Sequence, residues 1–350
     1  RLAQHAHSLA DAHRVYPRAT RKGARLLDRF EENARALLQA YRVLSEEVQK
    51  ERAISPAAEW LIDNFHIVDE QLIEIREALP PGYYRVLPKL VGGPLADHPR
   101  AYGIAWAFVA HTDSRFDPAL LELFLRSYQE ITPLTIGELW AVAITLRLAL
   151  VENLRRLATV IVEAREEREQ ADKLADKLLE LATRQPAGLI PLITDRIGRR
   201  EKIPRALVVQ LTQRLREQDP AVTPVLDWLE KELAKYGTTI EQMSHSEHQR
   251  QASTQGTVGN IINSMRLLST LDWQEFFESV SLVDPLLAKD PAAAYADMEF
   301  ASRDRYRHVV ERISKGVKVS ELKVAEAAVN LAEQSGASQG TEARSAHVGY

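Results

Sequence analysis

The amino-acid sequence predicts an all-α fold, a multi-helix bundle or array made of two packed helical subdomains. Glycine and proline, which disfavour helix interiors, contribute only 15 and 16 of the 350 residues. Apolar residues recur at steps of three and four along most of the chain, which is the pattern of amphipathic helices. No segment shows the sustained alternation of apolar and polar residues that indicates a half-buried strand.

The composition disfavours nucleic-acid binding and excludes thiol chemistry. The chain has 45 basic and 49 acidic residues, whereas nucleic-acid binders carry a basic excess that neutralises phosphates. Without cysteine, disulfides, thiolate nucleophiles and thiolate metal ligands are excluded. The most apolar stretch, 139–151, is interrupted by Arg147 and is shorter than the roughly 18 apolar residues that span a membrane.

The N-terminal half predicts five helices. The first spans 20–51, where apolar residues form one stripe. The second begins at Ser55-Pro56, because serine caps free amides and proline fits the first helical position, and it ends before Pro80. Three more are expected at 98–112, 117–130 and 134–183. The last is apolar on most sides in its first half, which indicates burial, and charged over 163–177, which is expected to face solvent.

A soft domain boundary is expected between residues 184 and 185, because the segment from Gln185 to Pro204 breaks the helical pattern. This gives helical subdomains at 1–184 and 185–334, and a flexible linker rich in Ser and Gly at 335–350. Further helices are expected at 188–198, 204–218, 221–235, 238–269, 272–288, 291–296, 299–315 and 320–334.

The sequence contains no complete catalytic or metal-binding constellation, so no catalytic residue, metal ligand or cofactor is assigned to it. Asp-x-Asp, the P-loop and Gly-x-Gly-x-x-Gly are all absent. His245 and His248 flank Glu247 at a spacing that places both imidazoles on one helix face, where they suit a metal. A third ligand is missing, and we favour a solvated polar face.

Glu138 and Glu152 lie in the most apolar helix. A buried carboxyl group with a raised pKa would suit acid catalysis. The favoured interpretation places Glu138 in an exposed first turn, where the helix dipole stabilises its charge, and pairs Glu152 with Arg155 or Arg156.

A dense polar cluster at 303–308 is the other candidate site. Asp304 can reach Arg307 and His308 at helical spacing, and arginine with tyrosine suits a phosphate or a sugar. A structural role in fixing this helix is favoured. The five tryptophans, Trp60, Trp106, Trp140, Trp228 and Trp273, are expected in the core, with sugar stacking as the alternative.

Several segments resemble the N-terminal region of cyclic β-1,2-glucan synthases. They include AEWLIDNFH at 58–66, AWAFVAHTDS at 105–114 and FASRDRYRH at 300–308. Shorter similar segments lie at 79–84, 134–141, 152–157, 247–252, 258–260 and 271–273. The chain begins at Arg1 without Met, and we expect it to be part of a longer polypeptide.

The resemblance implies an accessory, non-catalytic helical domain that precedes the glycosyltransferase module of a membrane enzyme. That enzyme is expected to act at the cytoplasmic face of the bacterial inner membrane, to polymerise glucose from UDP-glucose with a divalent metal in its transferase module, and to cyclise the product. The expected partners are the other modules of the same polypeptide and β-1,2-glucan. The candidate residues for an interface or a glucan contact are Glu138, Arg303, Asp304, Tyr306, Arg307 and His308.

Two alternatives stay open. The first is a glucan-binding or glucan-guiding module that uses exposed tryptophan or tyrosine with arginine and glutamate partners. The second is a stand-alone helical glycoside hydrolase with a carboxylate pair, for example Glu138 with Asp113.

Overall fold

The computed structural model describes residues 1–16, 26–79, 86–198, 203–216, 218, 220–340 and 344–350. Within these ranges the chain forms fifteen α-helices, and extended pairing is limited to two isolated bridges, Val15 with Leu90 and Lys89 with Pro99. The predicted all-α class is confirmed. None of the described helices is both long enough and apolar enough to span a membrane.

The helices of the described residues lie in the following order along the chain. They are α1 (Leu2–Ala12), α2 (Leu26–Gln49), α3 (Pro56–Asp63), α4 (Phe65–Ala78), α5 (Arg100–His111), α6 (Pro118–Ile131), α7 (Ile136–Arg184), α8 (Leu189–Arg196), α9 (Arg205–Arg216), α10 (Thr223–Ala234), α11 (Ile240–Thr270), α12 (Trp273–Val280), α13 (Asp284–Leu287), α14 (Phe300–Val317) and α15 (Glu321–Gln339).

Helix starts were predicted best where a capping residue marks them. Ser55 Oγ accepts a hydrogen bond from the amide of Ala58 at the start of α3, and Asp117 Oδ1 accepts from the amides of Ala119 and Leu120 at the start of α6. The predicted start of the first long helix at residue 20 lies outside the described residues.

Three predicted elements were wrong in detail. The second helix is interrupted at Asn64, whose side-chain amide donates to the carbonyl of Trp60 and so competes with the helical hydrogen bonds. The segment 291–296 forms turns, because Ala293 adopts a positive φ and the carboxylate of Asp290 accepts the amides of Ala294 and Tyr295. The 272–288 segment divides into α12 and α13.

Two further differences concern the ends of the chain. Helix α1 was not predicted, and its buried residues are the small side chains Ala6 and Ala10. Helix α15 continues to Gln339, into the segment expected to be a linker.

The described chain packs as two compact units that are each assembled from separate segments. Unit 1 contains Arg1–Arg29, Gln71–Leu150 and Asn263–Tyr350, and unit 2 contains Phe30–Glu70 and Val151–Ile262. The boundary between residues 184 and 185 stays a prediction.

The core of each unit uses one part of α7. In unit 1 the first part of α7 is buried on nearly all sides, as its apolar composition predicted. In unit 2 the second part of α7 buries one stripe, including Leu174 and Leu178, against α8, α9 and α10. The charged side chains of 163–177 lie on the remaining faces of this part of the helix.

Candidate functional site

Arg307, at the centre of the predicted polar cluster, is a fully buried brace in unit 1. Its Nη1 group donates to Asp284 Oδ1 at 2.8 Å and to Glu278 Oε1 at 3.0 Å. Its guanidinium carbon lies 4.6 Å from the ring centre of Phe300 and 5.1 Å from that of Phe277. The carboxylates and the two rings offset the loss of water around the cation, and they fix α14 against α12 and α13.

The neighbouring residues of the cluster extend this brace. Arg303 forms a bidentate pair with Glu278, at 3.0 Å from Nε and 2.8 Å from Nη2. Asp304 accepts a hydrogen bond from Arg307 Nε and lies 3.3 Å from His308 Nδ1, as the helical spacing predicted. His308 is exposed.

Tyr306 belongs to a different contact, which holds the last described residues of the chain. Its hydroxyl lies 2.8 Å from His347 Nε2, and His347 Nδ1 lies 2.7 Å from Asp290 Oδ2. Burial alone would raise the pKa of Asp290, but hydrogen bonds from His347 and from the amides of Val348 and Tyr295 hold that pKa below its usual value. No sequence signal links Tyr306 to a histidine so far along the chain.

The expectation that Glu138 lies in an exposed first turn was wrong. Its side chain is completely buried, and its two oxygens accept hydrogen bonds from Arg100 Nε at 2.7 Å and Arg100 Nη2 at 2.6 Å. The amide and hydroxyl of Thr135 also donate to Glu138 Oε2. Helix α7 therefore begins with a buried ion pair, and both oxygens of this carboxylate accept hydrogen bonds.

A second buried carboxyl group at the start of α7 was missed. Glu321, the first residue of α15, accepts a hydrogen bond from the amide of Ile136 at 2.7 Å. Burial raises the pKa of Glu321 to about 7, and the nearby charges of Glu311 and Glu138 raise it further. The carboxyl group of Glu321 thus caps a free amide in the first turn of α7. Because the cap comes from a distant segment of the chain, only the fold reveals it.

The tryptophans are less buried than predicted. Trp60 is 41% exposed on α3, which contradicts its assignment to the core, and the other four are partly buried. Trp140 stacks on Phe277 with 4.5 Å between ring centres, and Trp273 Nε1 donates to the carbonyl of Leu268. These contacts give both rings a structural role.

The paired histidines of α11 do not converge with further ligands. Both His245 and His248 are exposed, and no group of three metal-ligating side chains occurs in the described part of the chain. The intervening Glu247 departs from the expected solvated face, since it is 1% exposed and accepts a hydrogen bond from Gln251 at 3.1 Å.

Unit 2 contains a polar cleft of about 580 Å³, which we call the unit 2 cleft. Its walls are the end of α2, the segment leading into α3, the middle of α7, and parts of α9 and α11. Its basic side chains are Arg52, Arg165, Arg168 and Lys173. Its acidic side chains are Glu47, Glu169, Asp172, Asp176 and Glu247.

Most of these charges are paired with each other. Arg165 Nη2 lies 3.0 Å from Glu47 and 2.7 Å from Glu169, and Arg52 lies within 3.6 Å of the same two carboxylates. Arg168 differs, because it makes no hydrogen bond or ion pair with any described residue. Burial lowers the pKa of Arg168, although the charge of Glu247 opposes that shift.

The comparison with known proteins identifies one relative. No family model matches the chain. The chain is 35% identical over 316 residues to the cyclic β-(1,2)-glucan synthase NdvB of Rhizobium meliloti (strain 1021). The alignment covers 90% of this chain and 11% of that protein, so the chain spans about a tenth of the length of the relative. The resemblance seen in the separate sequence segments is therefore confirmed across most of the chain.

Proposed function

Given that the chain is related to one segment of a cyclic β-(1,2)-glucan synthase, we propose that it is an accessory helical region of such an enzyme. In this proposal the region precedes the glycosyltransferase module at the cytoplasmic face of the inner membrane and positions the catalytic modules without catalysing a step itself. The transferase module supplies the UDP-glucose and divalent-metal chemistry. The partners of this region are the other modules of the same polypeptide.

The main support for this proposal is that the candidate residues are bound to neighbouring side chains of the same unit. Arg303, Arg307 and Glu138 each form charge-assisted hydrogen bonds inside unit 1. A side chain with its donors or acceptors bound to neighbouring helices fixes the angles between those helices, and it has few groups left for a substrate. This arrangement favours a rigid, supporting role for the region over a catalytic role.

These buried ion pairs hold their helices in place, because breaking one of them is costly. Removing one partner from a buried ion pair costs about 3–5 kcal/mol, because the other charge is left without compensation. The braces at Arg307 and at Glu138 therefore define helix positions strongly. Rigid helix positions are what a region needs if it holds two modules at a set distance.

The proposal is tested in the full-length synthase that contains this chain. We expect that deleting the region strongly reduces the cyclic glucan formed from UDP-glucose by membranes with matched amounts of enzyme. Arg307→Met in the intact synthase is expected to reduce the yield in the same direction, whereas Arg305→Met, on the exposed side of the same helix, leaves it unchanged. A deletion variant that makes normal cyclic glucan at normal yield would contradict the proposal.

A further inference from the structure

We propose that the unit 2 cleft is a binding groove for an uncharged oligosaccharide chain. The proposal gives this accessory region a ligand, and it rests on the proposed function only for the choice of probe. Its evidence is the shape of the cleft, its charge balance and its unused polar groups.

The shape of the cleft suits an extended ligand. A second recess of about 200 Å³ shares Ser55, Pro56, Arg168, Glu247, His248 and Gln251 with the first recess of about 580 Å³. The two recesses are therefore adjacent, and Arg168 lines both. Ligand sites commonly have volumes of about 300–1,000 Å³, so two adjacent recesses suit a ligand of several units.

The charge balance of the cleft disfavours an anionic ligand. The lining contains five carboxylates and four cations, and the side chain of Glu169 binds Lys173 at 3.0 Å as well as Arg165. A phosphate group in the cleft would meet repulsion from these carboxylates. Hydroxyl groups both donate and accept hydrogen bonds, so a sugar can use the mixture of amides, carboxylates and cations.

Several polar groups in the cleft lack the partners that buried polar groups usually have. Arg168 has no hydrogen bond or ion pair within the described ranges, and Arg165 Nε donates to no described atom. Glu247 Oε2 accepts no hydrogen bond in the described chain, although Arg250 Nε lies 3.0 Å away in poor alignment. Unsatisfied buried groups cost free energy, and a ligand with hydroxyl groups in the cleft would satisfy both Arg165 Nε and Glu247 Oε2.

The cleft also offers apolar surface to a sugar ring. Its lining includes the apolar residues Ile54, Pro56, Ala206 and Val209. These small contacts suit the C–H faces of a pyranose, while the polar groups shared by the two recesses suit its hydroxyls.

The test uses the 350-residue chain and short linear β-1,2-gluco-oligosaccharides, because β-(1,2)-glucan appears in the name of the related synthase. Calorimetric titration is expected to show saturable binding by the unchanged chain. Arg168→Met is expected to weaken binding at least about tenfold, which corresponds to the loss of about one hydrogen bond to a charged group. Arg184→Met, on an exposed residue at the end of the same helix, is the matched control and should bind as the unchanged chain does.

A stability measurement accompanies the titration. Since Arg168 is partly desolvated and has no partner in the described chain, Arg168→Met should melt at the same temperature or higher. Loss of binding without loss of stability would show that the variant is folded and that the guanidinium acts on the ligand.

Three outcomes would overturn the proposal. One is the absence of saturable oligosaccharide binding by the unchanged chain. Another is equal binding by the Arg168→Met variant. The third is binding of inorganic phosphate or UDP-glucose in place of the oligosaccharide, which would make the cleft an anion site. If the chain binds no oligosaccharide while deletion still abolishes cyclic glucan formation, only this inference fails. If binding is found and deletion has no effect, only the accessory function fails.

Discussion

The buried Arg307 of unit 1 and the partly buried Arg168 of unit 2 have opposite surroundings. In unit 1, Arg307 is surrounded by the carboxylates of Glu278 and Asp284 and by two aromatic rings. In unit 2, Arg168 is partly buried beside a cleft and has no ion pair among the described residues. The first arrangement contributes to folding, whereas the second keeps a charge available at a cost to stability.

The largest expected effect comes from removing the charge of Arg307. Arg307→Met leaves the partly buried Glu278 and Asp284 without their shared cation, although Glu278 keeps its pair with Arg303, and we expect the free energy of unfolding to fall by about 3 kcal/mol. Urea denaturation measures this change. Arg305→Met, on the exposed side of α14, should stay within about 0.5 kcal/mol of the unchanged chain. A small loss for Arg307→Met would mean that the brace is not structural.

The pair at the start of α7 provides a second brace. Arg100→Met is expected to cost about 3 kcal/mol, because it leaves the carboxyl group of Glu138 buried without its cation. Combining it with Glu138→Gln removes both charges and keeps an oxygen for the amide of Thr135, so the double variant should recover most of the loss. Equal destabilisation of the single and double variants, measured by urea denaturation, would argue against an ion-pair brace.

The buried carboxyl group of Glu321 is expected to make the stability of the chain depend on pH. Burial raises its pKa to about 7, so between about pH 4.5 and 7 the folded chain holds a proton that the unfolded chain has lost. The free energy of unfolding therefore decreases as the pH rises through this window, by up to about 3 kcal/mol.

Glu321→Gln keeps an oxygen for the amide of Ile136 and has no proton to lose. The decrease in stability between pH 5 and pH 8 should therefore be smaller in this variant, as urea denaturation at the two pH values would show. Glu326→Gln, exposed on the same helix, serves as the control and should retain the full decrease. Identical pH profiles for Glu321→Gln and the unchanged chain would refute the assignment.

The smallest stability change is expected in unit 2. Arg168→Met should change the free energy of unfolding by less than about 1 kcal/mol, and in the stabilising direction. Thermal unfolding of Arg168→Met and Arg307→Met, measured side by side, compares the two changes in stability directly. A loss comparable with that of Arg307→Met would place Arg168 among the structural braces.

The sequence located most of the helices but not the contacts between them. Apolar period and capping residues such as Ser55 and Asp117 report local structure, so they locate helices well. The partner of Glu138 is Arg100, 38 positions away, and no local pattern encodes that pairing. The turn at 291–296 was missed for a related reason, since Asp290 captures backbone amides that a helix would use.

The residue types of the candidate cluster and a structural role for it were predicted, whereas its contacts with Glu278 and Asp284 were not. The cluster at 303–308 was correctly recognised as a place where arginine and aspartate meet, but Arg307 is buried. The unit 2 cleft was not predicted, because it combines residues from α2, α7, α9 and α11 that are distant in sequence. The single hint was the charged face of α7 at 163–177, which the sequence assigned to solvent.

The central claim is tested most directly by measuring glucan synthesis after one charge, or both charges, of the Arg100–Glu138 pair have been removed. Full-length synthase carrying Arg100→Met, or Arg100→Met with Glu138→Gln, is assayed for cyclic β-1,2-glucan formed from UDP-glucose at matched enzyme levels. If Glu138 and Arg100 are braces, the single variant loses product and the double variant recovers most of it. If the charge of Glu138 takes part in the reaction, the double variant makes no more product than the single variant, and the account of a supporting region is contradicted.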